Sequence, residues 1–265
     1  MYRERVEREC AEYNAGQGYL DATDGIDCPL CKNRGYVAKA IKHDLFGYWT
    51  TVMAECECKK QRTSVRRIKA SGLAGAISRC TFDTFEAMDD WQIRMKSTAQ
   101  RYVNGNGGLW FYAGGQIGAG KTHICTAICG ELLKQNQSVL YMLWKDESTR
   151  LKSLVNDTEV REREIGKYKS VDVLYIDDFF KSQRSGGKAV PPTPADLSLA
   201  FEILNHRYVA RKKTVISSEW MISEICDIDE AVGSRIYEMS KGSCCQISRD
   251  KTRNFRTREV PCEKG

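Results

Sequence analysis

The sequence predicts an α/β protein: a parallel sheet with helices on both faces, preceded by a small metal-binding unit. Three observations predict it. Strand-like and helix-like segments alternate from about residue 108. Gly115-x-x-x-x-Gly120-Lys121-Thr122 spells a P-loop between one such strand and the helix after it. Four cysteines, Cys28, Cys31, Cys56 and Cys58, stand ahead of both as two close pairs.

In chain order, residues 1–20 read as a charged helix. Residues 25–58 hold the cysteine pairs, with the β-type patches "GYVAKAI" and "GYWTTVM" between them. The basic stretch 59–70 reads as a helix and "SGLAGAISRCTF" as a linker. A boundary near residue 75 divides the chain into 1–75, the helix, cysteine module and basic linker, and 76–265, the α/β domain. "GLWFYAG" is a strand, and "GKTHICTAICGELLKQN" is a helix with Ile124, Ala127, Ile128 and Leu132 on one face. "SVLYMLW" is the next strand, followed by one helical stretch over about 146–165. "VDVLYID" is a third strand. "PADLSLAFEILNHRYVARK" is a third helix, with Pro194 near its start, and "KTVISS" a fourth strand. "KSQRSGGKAVPPT" (181–193) carries turn residues alone and predicts a mobile, exposed loop.

Composition bounds the class. The chain has 265 residues, 42% hydrophobic and 29% charged, as soluble globular proteins do. No apolar run approaches the eighteen or so residues of a membrane span. The N-terminal "MYRERVEREC" is unlike a secretory signal, so a cytoplasmic protein away from membranes is expected. Twelve cysteines without an export signal point to metal ligands and small buried hydrophobes rather than a disulfide scaffold. The net charge of +6 is unevenly placed, with basic stretches at 59–69 and 249–258 that either bind phosphate backbones or form solvated faces.

The P-loop sets the chemistry. Gly115, Gly118, Ala119 and Gly120 let consecutive N–H groups point inward at a phosphate, where the helix N-terminus adds its positive dipole end. Lys121 would reach the β- and γ-phosphates, and Thr122 would offer its hydroxyl to Mg²⁺. "VLYIDDFF" (173–180) then supplies the anionic half of the site. Asp177, at the end of an apolar strand, is the candidate Mg²⁺-holding carboxylate. Asp178 either faces the attacking water or shapes the metal's field. The absence of an Asn-Lys-x-Asp pattern disfavours a GTPase, leaving ATP as the expected nucleotide.

Beyond these motifs the chain from 78 to 258 resembles the AAA+ (RecA-like) helicase loaders of the DnaC/DnaI type and the related IstB transposition helper ATPases. The residues that carry the resemblance are "RCTFDTFEA", the P-loop strand, loop and helix, "VLYIDDFF", "TVISSEW" and "AVGSRIYEM". The resemblance implies that Arg235 is an arginine finger reaching the γ-phosphate held by a neighbouring subunit, against the plainer reading of a helix-capping or surface ion pair. It puts Ser218 and Glu219 at sensor 1, where many loaders have Ser-Asn, and leaves Arg253 and Arg256 open as sensor 2. It also implies a DnaB-type replicative helicase and single-stranded DNA as partners, with ATP-dependent self-association. Asp178, one methylene shorter than the Glu of most AAA+ enzymes, makes slow, partner-stimulated hydrolysis the expectation. The departures from cellular forms are compatible with a phage origin.

Cys28-x-x-Cys31 and Cys56-x-Cys58 lie on turns that converge on one tetrahedral Zn²⁺ with no open position. His43, between the pairs, is an alternative to one cysteine. DnaI-type loaders are similar in carrying an N-terminal zinc-binding domain. The expected function is thus an ATP-dependent loader of a replicative helicase onto single-stranded DNA. The rivals are a transposition helper ATPase and a nucleotide-gated DNA-binding scaffold with negligible turnover.

Overall fold

The computed structural model describes residues 2–44, 47–70, 74–181, 184–185 and 188–257, and the contacts part the chain into two units, Met1–Arg66 and Arg67–Gly265. The division lies inside a helix, earlier than residue 75, where composition changes.

In the first unit, α1 (Tyr2–Ala15) ends sooner than residue 20, and a short α2 (Asp21–Asp24) follows. The two β-type patches form an antiparallel hairpin, β1 (Tyr36–Lys42) and β2 (Trp49–Glu55). α1 lays Val6 and Cys10 against Ala38, and Asn14 clamps the strand by giving to Ala38 O (2.9 Å) and accepting from Ala38 N (2.8 Å). α3 (Cys58–Ala70) carries the first basic stretch. Its Arg62 is neither solvated nor free for DNA: the guanidinium is buried, 2.5 Å from Asp24, and also donates to Ile26 O and Asn33 Oδ1. Lys59 pairs with Glu55, while Lys60, Arg66, Arg67 and Lys69 are exposed.

The second unit opens with α4 (Ala74–Arg79) and α5 (Asp90–Val103), neither of which the strand-helix alternation announces. Then come β3 (Trp110–Gly115), α6 (Lys121–Lys134), β4 (Val139–Leu143), α7 (Trp144–Ser153), α8 (Thr158–Ser170) and β5 (Val173–Phe179). The single helix expected over 146–165 is two, because Asp157 accepts from Val160 N and caps a new start. Between Lys181 and Val190, both exposed, lie two-residue strands β6 (Arg184–Ser185) and β7 (Lys188–Ala189), paired antiparallel; the rest of the expected loop, 182–183 and 186–187, lies outside the described residues. α9 (Pro194–Val209) starts with Thr193 and Asp196 in a capping box around Pro194. β8 (Lys213–Ser218), α10 (Ile222–Ile228), α11 (Glu230–Met239) and β9 (Cys244–Ile247) follow, then 3₁₀ turns at Lys251–Arg253 and Phe255–Thr257.

The predicted fold class is observed. Five strands run parallel in the order β4-β5-β8-β3-β9. Continuous apolar strands are buried on both faces, and alternation sorts their side chains. Trp110, Tyr112, Leu174 and Ile176 join one core with α7, α9, α10 and α11, while Phe111, Ala113, Val173 and Tyr175 join the other with α5 and α6. β8 therefore separates the P-loop strand from the strand of the two acids, and the carboxyl ends of all three meet at one edge. Toward the opposite end, buried Arg207 of α9 donates to the carbonyls of Tyr168 and Val171, capping α8, and to Lys213 O at the start of β8. Among the described residues no helix is long and apolar enough to cross a membrane.

Candidate functional site

At the end of β3 the chain turns through Gly115, Gly118 and Gly120, all at positive φ (99°, 73° and 78°). A Cβ at Gly118 would stand 1.8 Å from Asn254 Oδ1, so glycine is required there by contact as well as by backbone. The loop is walled from outside: Gln116 N donates to Ile247 O, and Phe255 N to Gly118 O. Lys121 Nζ lies in the hollow of the loop, donating to Gly115 O (2.9 Å) and Gln116 O (2.5 Å). Burial pushes this ammonium down to about 8, while Glu219 and Asp178 pull in the other direction. These groups share one cavity of about 360 Å³, lined also by Phe85, His123, Lys181 and Arg256.

The two acids part company because β5 carries one extra residue. Ile176 pairs with Ile216, but Phe179 pairs with Ser218, a bulge that falls on 177–178. Asp177 keeps the alternation of Val173 and Tyr175 and faces α6. Its buried carboxylate accepts from Thr122 Oγ1 (3.1 Å), Tyr175 OH (2.8 Å), Tyr141 OH (3.1 Å) and Ser217 Oγ. Burial raises both tyrosines well above their usual range, so they remain donors. Asp178 instead lines the cavity, with φ at +53° and its side chain 2.6 Å from Lys181 Nζ.

The remaining expected residues are placed as follows. Ser218, which the resemblance puts at sensor 1, gives its hydroxyl to Phe179 O (2.7 Å); Ser217 is the serine that reaches Asp177. Glu219 lines the cavity. Arg235 packs over Phe201 and Tyr208 and donates to Asn205 Oδ1 and Ala231 O, on a surface apart from the cavity lining. Arg256 lines the cavity, whereas Arg253 lies over Trp91 and donates to Ser248.

Sequence reasoning missed Tyr141, Tyr175, Ser217, Lys181 and the Thr84–Phe85–His123 wall. Tyr175 was findable, since two residues before Asp177 on a strand is the same face. Tyr141 and Ser217 become visible once β4 and β8 are known to flank β5.

The cysteines form a second site. The sulfurs of Cys28, Cys31, Cys56 and Cys58 are buried and mutually within 4.8 Å. Cys28 and Cys56 sulfurs are 3.7 Å apart, Cys31 and Cys58 3.5 Å. A tetrahedral ion with Zn–S of about 2.3 Å sets its sulfurs roughly 3.8 Å apart, so the donor set fits zinc. The first turn is built for this: Lys32 and Asn33 adopt positive φ, Gly35 N donates to Cys31 Sγ, and Asn33 Oδ1 takes the Cys28 N–H. Burial opposes ionisation of Cys31, but the Gly35 N–H and the neighbouring thiols outweigh it and bring it to about 7; burial holds Cys58 up to about 12. His43 is not of this group. It stands at the hairpin end, stacked on Tyr48 with centroids 5.3 Å apart, so the alternative Cys₃His set is corrected to four cysteines.

Comparison with known proteins adds sequence relatives. A family model described as the bacterial DnaA ATPase domain matches residues 78–240. The phage-like element PBSX protein XkdC of Bacillus subtilis (strain 168) is 30% identical over 227 residues, covering 80% of this chain and 79% of that protein. The replicative helicase loader DnaC of Escherichia coli (strain K12) is 31% identical over 124 residues, which is 45% of this chain and 49% of that protein. The crystal structure of the DnaC helicase loader shares the fold, with a TM-score of 0.53 at 23% identity over 64% of this chain and 98% of that one.

Proposed function

The chain belongs to the family of the bacterial DnaA ATPase domain, and from that membership we propose that it is an ATP-dependent loader of a DnaB-type replicative helicase onto single-stranded DNA. The observation that carries the ATPase half is the bond from P-loop Thr122 to Asp177, which joins the phosphate-binding and anionic halves across the sheet. The loader half is supported by the likeness to DnaC and by the cysteine quartet ahead of the α/β unit.

In this reading the loop N–H groups and Lys121 bind the phosphates of ATP, while Thr122 and Asp177 hold Mg²⁺. The ion would screen charge on the transferring phosphoryl group. Tyr141, Tyr175 and Ser217 fix the Asp177 carboxylate in orientation. Asp178 accepts a proton from the attacking water, Glu219 orients that water, and Ser218 supports the turn beneath them. Arg256 meets the phosphates from the same chain. Arg235, away from its own cavity, acts on the nucleotide of a neighbouring copy in an ATP-dependent oligomer. The four cysteines hold a structural Zn²⁺ in an N-terminal domain (1–75) that serves the cytoplasmic ATPase domain (76–265) as a partner-binding module.

The test is co-purification with a replicative helicase, with and without Mg·ATP, alongside ATPase assays with single-stranded DNA. Recovery of the helicase and stimulated turnover are expected. Recovery of a transposase instead would reject loading in favour of transposition, and binding of nucleotide with no turnover under any condition would favour a scaffold.

A further inference from the structure

We propose that Lys181 is a terminal-phosphate sensor, which holds the Asp178 carboxylate in the free protein and moves to the γ-phosphate when ATP enters, releasing Asp178. The inference rests on the reading of the cavity as an ATP site.

It starts from strain. Asp178 (φ +53°) and Phe180 (φ +56°) are both left-handed, and for an aromatic residue that is an outlier that surrounding structure must enforce. The enforcement comes from one segment, Ser217-Ser218-Glu219-Trp220. Ser217 Oγ accepts from Asp178 N (3.0 Å), Ser218 Oγ donates to Phe179 O, and Trp220 Nε1 donates to Phe180 O (2.9 Å). The Phe179 and Phe180 rings stack beside Trp144 and are buried. Lys181 N closes the turn on Asp178 O at 2.9 Å.

The outcome of this costly arrangement is a charged cluster on the cavity wall. Lys181 Nζ is 2.6 Å from Asp178 Oδ2 and 4.0 Å from Glu219 Oε1, and all three residues line the cavity that holds Lys121 and Thr122. An ordinary surface pair needs no strained backbone beneath it. The Lys181 side chain is 42% exposed, and pairs of that kind are weak and readily exchanged. A flexible ammonium therefore transfers to a terminal phosphate that carries more charge than one carboxylate. A carboxylate oxygen engaged by the ammonium is not open to a water, so the transfer frees Asp178 to meet the attacking water when the γ-phosphate is present. ADP, which lacks that group, leaves the pair in place.

Calorimetric binding of Mg·ADP and of a non-hydrolysable Mg·ATP analogue to the full chain and to Lys181→Ala tests this. The wild type is expected to prefer the triphosphate, and the substitution to lower that preference about tenfold, the loss of one charge-assisted bond. ADP affinity should stay unchanged, which also reports that the variant is folded, and Lys181→Arg should retain the preference. An unchanged triphosphate-to-diphosphate ratio in Lys181→Ala would overturn the sensor role while leaving the ATP site standing. Failure of the wild type to bind either nucleotide would overturn the ATP site itself.

Discussion

Among the described residues, 67–265 bury an apolar layer on each face of a five-stranded sheet, whereas 1–66 bury four sulfurs, one ion pair and a small contact of Val6 and Cys10 with Ala38. The difference teaches that the two units answer to different perturbations. One is held by area removed from water, which no single group dominates. The other is held by a few polar and sulfur contacts, any of which is a large share of its stability.

Removal of the Zn²⁺ proposed for the cysteine quartet is the strongest way to separate them. Structural Zn²⁺ is worth on the order of 10–16 kcal/mol in small domains, so a chelator or Cys31→Ser should unfold residues 1–66. Limited proteolysis should then cut inside the first unit while nucleotide binding persists; loss of both together would break the comparison. Asp24→Asn comes next, since it strands the buried Arg62 charge at a cost of about 3–5 kcal/mol. Its melting transition should move in the first unit alone. In the second unit Asp178→Asn should lower ATP turnover by about two orders of magnitude with ATP affinity retained, and unchanged turnover would remove Asp178 from proton transfer. Tyr175→Phe is the smallest, about 1 kcal/mol, read as a higher Mg²⁺ requirement for turnover with an unaltered fold.

How much of this was legible follows from how far apart the partners lie. The P-loop and the cysteine pairs are spelled within a few residues, and their chemistry can be read locally. The hydroxyl fence around Asp177 draws on β4, β5, β8 and α6, and its members acquire meaning from sheet order. Arg62 was hidden by its company: five basic neighbours suggest a solvated helix, yet Arg62 stands one turn after buried Cys58 and is itself buried. The fifth strand, Cys244–Ile247, is four residues with a glutamine among them, and it forms because β3 offers it a parallel edge. The break between α7 and α8 was written in Asn156-Asp157, a cap that the long charged pattern around it obscured.

The walls of the P-loop have a consequence for how the protein is made. Gln116 is met by Ile247 and Asp250, the latter 134 positions later, and Gly118 by Phe255. At about 5–20 residues per second, translation delivers these partners on the order of ten seconds after the loop itself. Through that interval β3 has no β9 beside it, and residues 112–115 present an unpaired backbone edge. The growing chain is thus open to edge pairing at a place that β9 covers in the folded protein.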